Sequence, residues 1–86
     1  MPTVTFTPAL RRFLRVSEMR VEGTTLGAAL AAAFARQPAL RGYVLDDQGA
    51  LRRHVAVYVN GAAVRRLGDA VGENDEIHVL QALTGG

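Results

Sequence analysis

Gly85 and Gly86 are the residues of this sequence best suited to chemistry. They close a short, mostly apolar segment, Leu80-Gln81-Ala82-Leu83-Thr84, that follows a predicted strand. Glycine has no Cβ, so a Gly-Gly end can lie extended in a channel too narrow for other residues. The same lack of a side chain leaves a carboxylate on Gly86 sterically open to attack. Such an end can be offered as a reactant to another protein's active site. A frayed glycine-rich terminus would look the same by itself, because chain ends are often disordered. The rest of the chain has to decide between the two.

Other candidates for chemistry are few. There is no cysteine, which excludes disulfides, thiolate zinc sites and cysteine nucleophiles. The ten basic residues are all arginine, so the chain cannot form a Schiff base or accept an isopeptide bond on a side-chain amine. His54 and His78 are the only histidines, and both fall on predicted strands, too few ligands for a metal site. Asp75-Glu76 could pass for paired carboxylates, but a turn followed by a strand start accounts for them better. A net charge of +2 is weak for a nucleic-acid binder. The arginines are scattered along the sequence, and solvated faces explain them better than a phosphate track. No catalytic machinery is visible, and a non-enzymatic role is expected.

The elements that must position the tail are legible from periodicity. Thr3 to Thr7 alternates polar and apolar with β-branched residues and predicts a strand, ended by Pro8. Ala9 to Leu14 reads either as a loop or as a helical turn. Ser17 to Glu22 alternates again, with Met19 and Val21 on one face, so an antiparallel pair is expected near the N-terminus. Thr24 or Thr25 can cap a helix running to about Arg36. Leu26, Leu30, Ala33 and Phe34 form its buried stripe. Gly27 counts as a mild cost there, and Pro38 as the stop.

Leu40 to Arg53 reads as a long connection with a turn at Asp47-Gln48-Gly49. His54 to Val59 is the clearest strand, with its valines on one face and His54, Ala56 and Tyr58 on the other. Asn60-Gly61 predicts a tight hairpin into a return strand, Ala62 to Arg65. Glu76 to Leu80 is the last strand, with His78 and Leu80 opposite Ile77 and Val79.

One domain of 86 residues follows, with 49% hydrophobic residues and no apolar run near the roughly 20 needed to cross a bilayer. No signal peptide is recognisable, and a cytoplasmic location is the default expectation. One helix can cover one face of a mixed sheet, giving a two-layer α+β domain. Placing the last strand centrally beside the first gives every strand a partner. This is the β-grasp, or ubiquitin-like, arrangement: four to five strands in a mixed sheet with one main helix on one face. It predicts a folded unit over 1–81 and a flexible tail over 82–86.

The whole chain resembles the ThiS/MoaD family of ubiquitin-like sulfur carriers. Thr25-Leu26-Gly27 is similar to the family's threonine-led helix start, and Val57-Tyr58-Val59-Asn60-Gly61 to its strand and turn. Asn74-Asp75-Glu76-Ile77 stands where the family has Gly-Asp-Glu-Val, and Leu83-Thr84-Gly85-Gly86 resembles its terminal Val-Ser/Ala-Gly-Gly. The segment Leu45 to His54 resembles the MoaD-like subgroup of CysO-type carriers and archaeal protein modifiers. Asn74 in place of glycine, and Gln81-Ala82 where prolines are common, depart from the pattern.

The resemblance implies a carrier that supplies substrate and leaves catalysis to its partner. A MoeB/ThiF-type activating enzyme would use ATP to adenylate Gly86, and sulfur would displace AMP to leave a thiocarboxylate. That sulfur would pass to an accepting enzyme, such as a molybdopterin synthase large subunit or a cysteine synthase. Thiamine, tRNA thiolation and secondary metabolism are further destinations. No stably bound cofactor, nucleic acid or membrane is expected. Gly85 and Gly86 form the reactive end. Tyr58, His78 and Leu80 on the uncovered sheet face, with Leu83 and Thr84 in the tail, form the expected partner surface. Two other roles fit the same residues: a protein modifier joined through Gly86 to target lysines, and a binding module whose tail is never activated.

Overall fold

The alternation at the N-terminus produces a strand. In a computed structural model, which describes residues 1–6 and 18–81, β1 is Thr3–Phe6, with Val4 and Phe6 buried and the threonines half-buried. β2, Glu18–Arg20, pairs antiparallel with it and buries Met19 between two exposed charged residues. The expectations for Pro8 and for Ala9 to Leu14 lie outside the described residues, as does the tail 82–86.

The main helix, α1, is Leu26–Arg36. Thr25 is its N-cap: extended, with Oγ1 accepting from the Ala28 N–H at 3.1 Å. The two preceding N–H groups of the first turn are also satisfied, Leu26 donating to the Asp69 carbonyl at 2.9 Å and Gly27 to the Leu67 carbonyl at 2.7 Å. The loop before β5 therefore closes the helix start, which would otherwise carry orphan donors. Gly27, expected to be a mild cost, has a packing reason. A Cβ there would lie 3.1 Å from the Leu67 carbonyl oxygen and 3.2 Å from Leu67 Cβ.

Leu26, Leu30, Ala33 and Phe34 are buried as their spacing predicts, and Ala29 joins them. Pro38 does more than stop the helix. It opens a 3₁₀ turn, Pro38–Leu40, that leads into a one-turn helix, α2, Arg41–Val44. The first helical position tolerates proline because its missing N–H has no partner to lose. Leu40 and Val44, four residues apart, are fully buried, so part of the supposed long connection is core. Its turn lies where predicted: Asp46 Oδ1 accepts from the Gln48 and Ala50 N–H groups at 2.9 and 3.0 Å.

The remaining strands are β3 (Val55–Val59), β4 (Ala62–Val64) and β5 (Glu76–Gln81). Sheet order is β2-β1-β5-β3-β4. β5 runs parallel to β1, with Val4 opposite Ile77 and Phe6 opposite Val79. On its other side it pairs antiparallel with β3. The last strand is thus central. The inward residues Val4, Phe6, Val55, Val57, Ile77 and Val79 share one core with the helix stripe. No polar or charged side chain is buried among the described residues.

Asn60 and Gly61 have φ of 51° and 85°, the left-handed pair that a two-residue hairpin turn requires. Asn60 also locks the hairpin to β5. Its Nδ2 donates to Asp75 Oδ1 at 2.9 Å, its Oδ1 accepts from the Glu76 N–H at 2.9 Å, and its own N–H donates to the Glu76 carbonyl at 2.9 Å. The other Asp75 oxygen accepts from the Gly72 N–H at 2.7 Å. The backbone donor at Gly72 and the Asn60 amide hold the Asp75 carboxyl below its ordinary value of 3.8. Asp75-Glu76 is a strand-start clasp, as the sequence reading preferred.

A carboxylate whose pKa falls on folding stabilises the fold above its unfolded value, and that contribution is lost as pH falls through the folded value. Stability should therefore hold down to about pH 4 and decline below it. Asp75→Asn should lower the melting temperature at neutral pH, because its amide nitrogen must face a donor at Asn60 or Gly72. Its melting temperature should then approach that of the wild type in acid. Parallel curves at all pH values would show that Asp75 plays no part.

Candidate functional site

The site is organised by the strand that leads into the tail. The Asn60–Asp75 clasp fixes where β5 begins, and pairing then fixes where it ends. Val59 sits opposite Ile77, and Val55 opposite Gln81. The tail is rooted at the edge of the sheet where β3 starts, at the opposite end from the hairpin turn. Gly85, Gly86, Leu83 and Thr84 lie outside the described residues, so the site's geometry is that of its root and its flanking surface.

One row of residues crosses the uncovered sheet face. Glu18 lies beside Thr5, Thr5 beside His78, His78 beside Tyr58, and Tyr58 beside Ala63. Leu80 and Ala56 form the next pair toward the tail. Directly opposed side chains in such a pair have Cβ atoms about 5 Å apart. Tyr58 and His78 are half-buried, and Leu80 is 37% exposed, one of three large apolar residues that reach that level among the described residues. The sequence places all three on the face away from α1, and the structure puts them there as adjacent positions. They form a small amphipathic surface: an aromatic ring, an imidazole and an aliphatic side chain beside the tail root.

Four of the arginines that look scattered in the sequence come together in space. The hairpin carries Arg65 and Arg66 back past Ala56 and Val55, beside Arg52 and Arg53, which precede β3. Arg65 spans the junction: its Nη1 donates to the Val55 carbonyl at 2.8 Å and its Nη2 to the Arg52 carbonyl at 3.2 Å. Arg52 Nε donates to the Gly42 carbonyl at 2.8 Å. Hairpin arithmetic could have found this cluster, since a turn at Asn60-Gly61 sets Arg66 opposite Val55.

Nothing described here resembles an active site. No group of three or more His, Asp or Glu residues converges among the described residues. An apolar groove of about 370 Å³ runs along α1, lined by Leu30, Phe34, Pro38, Leu45 and Leu67 with Arg41 at its side, and offers neither a nucleophile nor an acid–base pair. No described helix is long and apolar enough to cross a membrane.

A ubiquitin-like domain with a central last strand defines a class, that of the small ubiquitin-like carrier proteins. The comparisons agree. The chain matches the ThiS family over residues 4–86 and belongs to it, a family of ubiquitin-like sulfur carriers and small modifiers. It is 37% identical to small archaeal modifier protein 1 of Haloferax volcanii over 73 residues, covering 84% of this chain and 83% of that protein. The crystal structure of that modifier superposes with a TM-score of 0.87 at 31% identity, over 99% of this chain and 98% of that one. Mycobacterium tuberculosis CysO gives 0.85 at 28% identity, over 96% and 100%. The crystal structure of the Amycolatopsis orientalis BexX/CysO complex contains a chain with the same fold, with a TM-score of 0.89 at 24% identity and full coverage of both chains.

Proposed function

We propose that this protein is a sulfur carrier that works through the carboxylate of Gly86. The observation that carries the reading is the central position of β5. β5 is paired with β1 as far as Val79 and with β3 as far as Gln81, so the sheet anchors the tail root, and the family match runs through both terminal glycines. A partner can therefore grip the domain and draw the tail into its own ATP site. There a carboxylate oxygen of Gly86 attacks the α-phosphorus of ATP and releases pyrophosphate. The resulting acyl-adenylate has AMP as its leaving group, which the free carboxylate lacks. A sulfide sulfur attacks the acyl carbon and expels AMP, leaving the thiocarboxylate. With a persulfide donor, a thiol must also cleave the S–S bond. The carrier then gives its sulfur to a biosynthetic enzyme.

Intact-mass analysis tests this directly. After incubation with a MoeB/ThiF-type activating enzyme from the same organism, ATP and a sulfide source, the protein should gain the mass difference between one sulfur and one oxygen. No change with any such enzyme would rule out activation. Modification of other proteins is the second reading, favoured by the name of the 37% identical archaeal relative. It predicts a Gly86 isopeptide on target lysines in cell extracts, which a carrier alone would not leave.

The docking face has its own test. Tyr58→Ala and Leu80→Glu should each weaken binding to the activating enzyme about tenfold, in the range of an interface anchor. Both should fold, since neither residue belongs to the buried core. Normal binding by both variants would move recognition away from this face.

A further inference from the structure

We propose that Arg53, Arg65 and Arg66 form a basic collar at the tail root that docks on an acidic surface beside the entrance to the activating enzyme's site. This rests on the reading of Gly86 as a substrate for such an enzyme and adds how the tail is delivered. Three observations carry it. The first is position. Gln81 pairs with Val55, and continuation of the β3–β4 register sets Arg66 on the far side of Val55, about 10 Å from the tail root at two strand spacings. Arg53 lies two residues before Val55, in the turn that enters β3.

The second is unneutralised charge. Arg53, Arg65 and Arg66 are exposed, and none of the three meets a carboxylate among the described residues. Arg65 is fixed by two neutral carbonyls, which orient its guanidinium and leave its charge intact. Of the neighbouring acids, Asp46 is engaged by its own turn and lies near Arg52. Asp69 is half-buried in the loop against the α1 N-terminus. The third is continuity. Leu80, which directly precedes the root, pairs with Ala56, and the β3–β4 register sets Arg65 on the far side of Ala56, so the collar adjoins the amphipathic face at Arg65. Nucleic acid is a poorer occupant, given a net charge of only +2 and no Phe, Tyr or Trp next to Arg53, Arg65 or Arg66 in the sequence. A charged rim around an apolar contact speeds encounter and fixes orientation.

The test is pyrophosphate exchange by the activating enzyme of the same organism, with this protein as the varied substrate across a salt series. Arg53→Glu combined with Arg66→Glu should raise KM about tenfold or more at low salt and leave kcat unchanged. Wild-type KM should rise with salt, whereas the charge-reversed variant's should stay flat or fall. The double glutamine variant should lie between them. Arg36→Glu, on the last turn of α1, should behave as wild type. Circular dichroism should show every variant folded, since the altered residues are exposed and outside the core. An unchanged KM and salt slope in both double variants would overturn the collar and leave the sulfur-carrier reading standing. An equal effect from Arg36→Glu would also overturn it, as a matter of net charge alone. No exchange with the wild type would overturn the carrier reading, and the collar with it.

Discussion

A chain lacking Gly86 should show no detectable exchange of oxygen for sulfur, even though it still ends in glycine. Its carboxylate would be one residue, about 3.5 Å, short of where the full tail reaches. In-line attack on phosphorus is sensitive to displacements of about 1 Å, which can cost 100-fold, so a shortfall of a full residue should remove activity by that factor or more. Gly85→Phe should fail for a different reason: the reach is kept, but the added side chain blocks a channel that admits only bare backbone. Both variants should melt with the wild type, because the described core runs from Val4 to Val79. Exchange at the wild-type rate by either variant would mean that the terminal glycines are not the reacting end. Loss of exchange accompanied by a lower melting temperature would mean that the tail is part of the fold.

Gly23→Ala should be among the most damaging small substitutions in the domain. A Cβ on Gly23 would stand 2.6 Å from the Ala29 nitrogen, 2.9 Å from Ala29 Cα and 3.0 Å from the Ala28 carbonyl carbon. All three are backbone atoms of α1, so no rotamer change relieves the contact. Nor can the helix withdraw cheaply, since its first turn is bonded to Thr25, Asp69 and Leu67 and its stripe is buried. Overpacking with backbone strain should cost about 3 kcal/mol, or a melting temperature lower by about 10–20 °C for a domain of this size. Gly61→Ala is the control. Gly61 has a left-handed φ of 85° and open space around it, so it should lose only about 1 kcal/mol of conformational strain. Equal losses at the two positions would show that the close approach to α1 is unimportant.

Local pattern made much of this legible in the sequence. A threonine cap at Thr24 or Thr25, the stripe from Leu26 to Phe34, the Asn60-Gly61 turn and the alternation around Ile77 are written in neighbouring residues, and the structure resolves the cap as Thr25 and places the others where their spacing predicts. The central position of the last strand followed from giving every strand a partner. What was not legible depends on residues distant in the chain. Gly27 looks like a flaw until Leu67 is seen against it. Pro38 looks like a stop until Leu40 and Val44 are seen buried beyond it. Asp75 reads as a turn before a strand, but its bond to Asn60, fifteen residues away, does not show in the sequence. The arginine cluster needed one further step, reading the hairpin as a register that folds two separated pairs onto one corner.

The parallel pairing of β1 with β5 has a consequence for synthesis on the ribosome. The strand that completes the middle of the sheet is the last to be made, and it joins residue 4 to residue 77. Long-range pairing of this kind forms late, because most of the chain must be present before the contact can close. A nascent or prematurely terminated chain lacks β5, and with it the row that joins Thr5, His78 and Tyr58. If the face is the docking surface proposed above, a partner would engage only chains translated through β5, so shorter fragments would not compete for it.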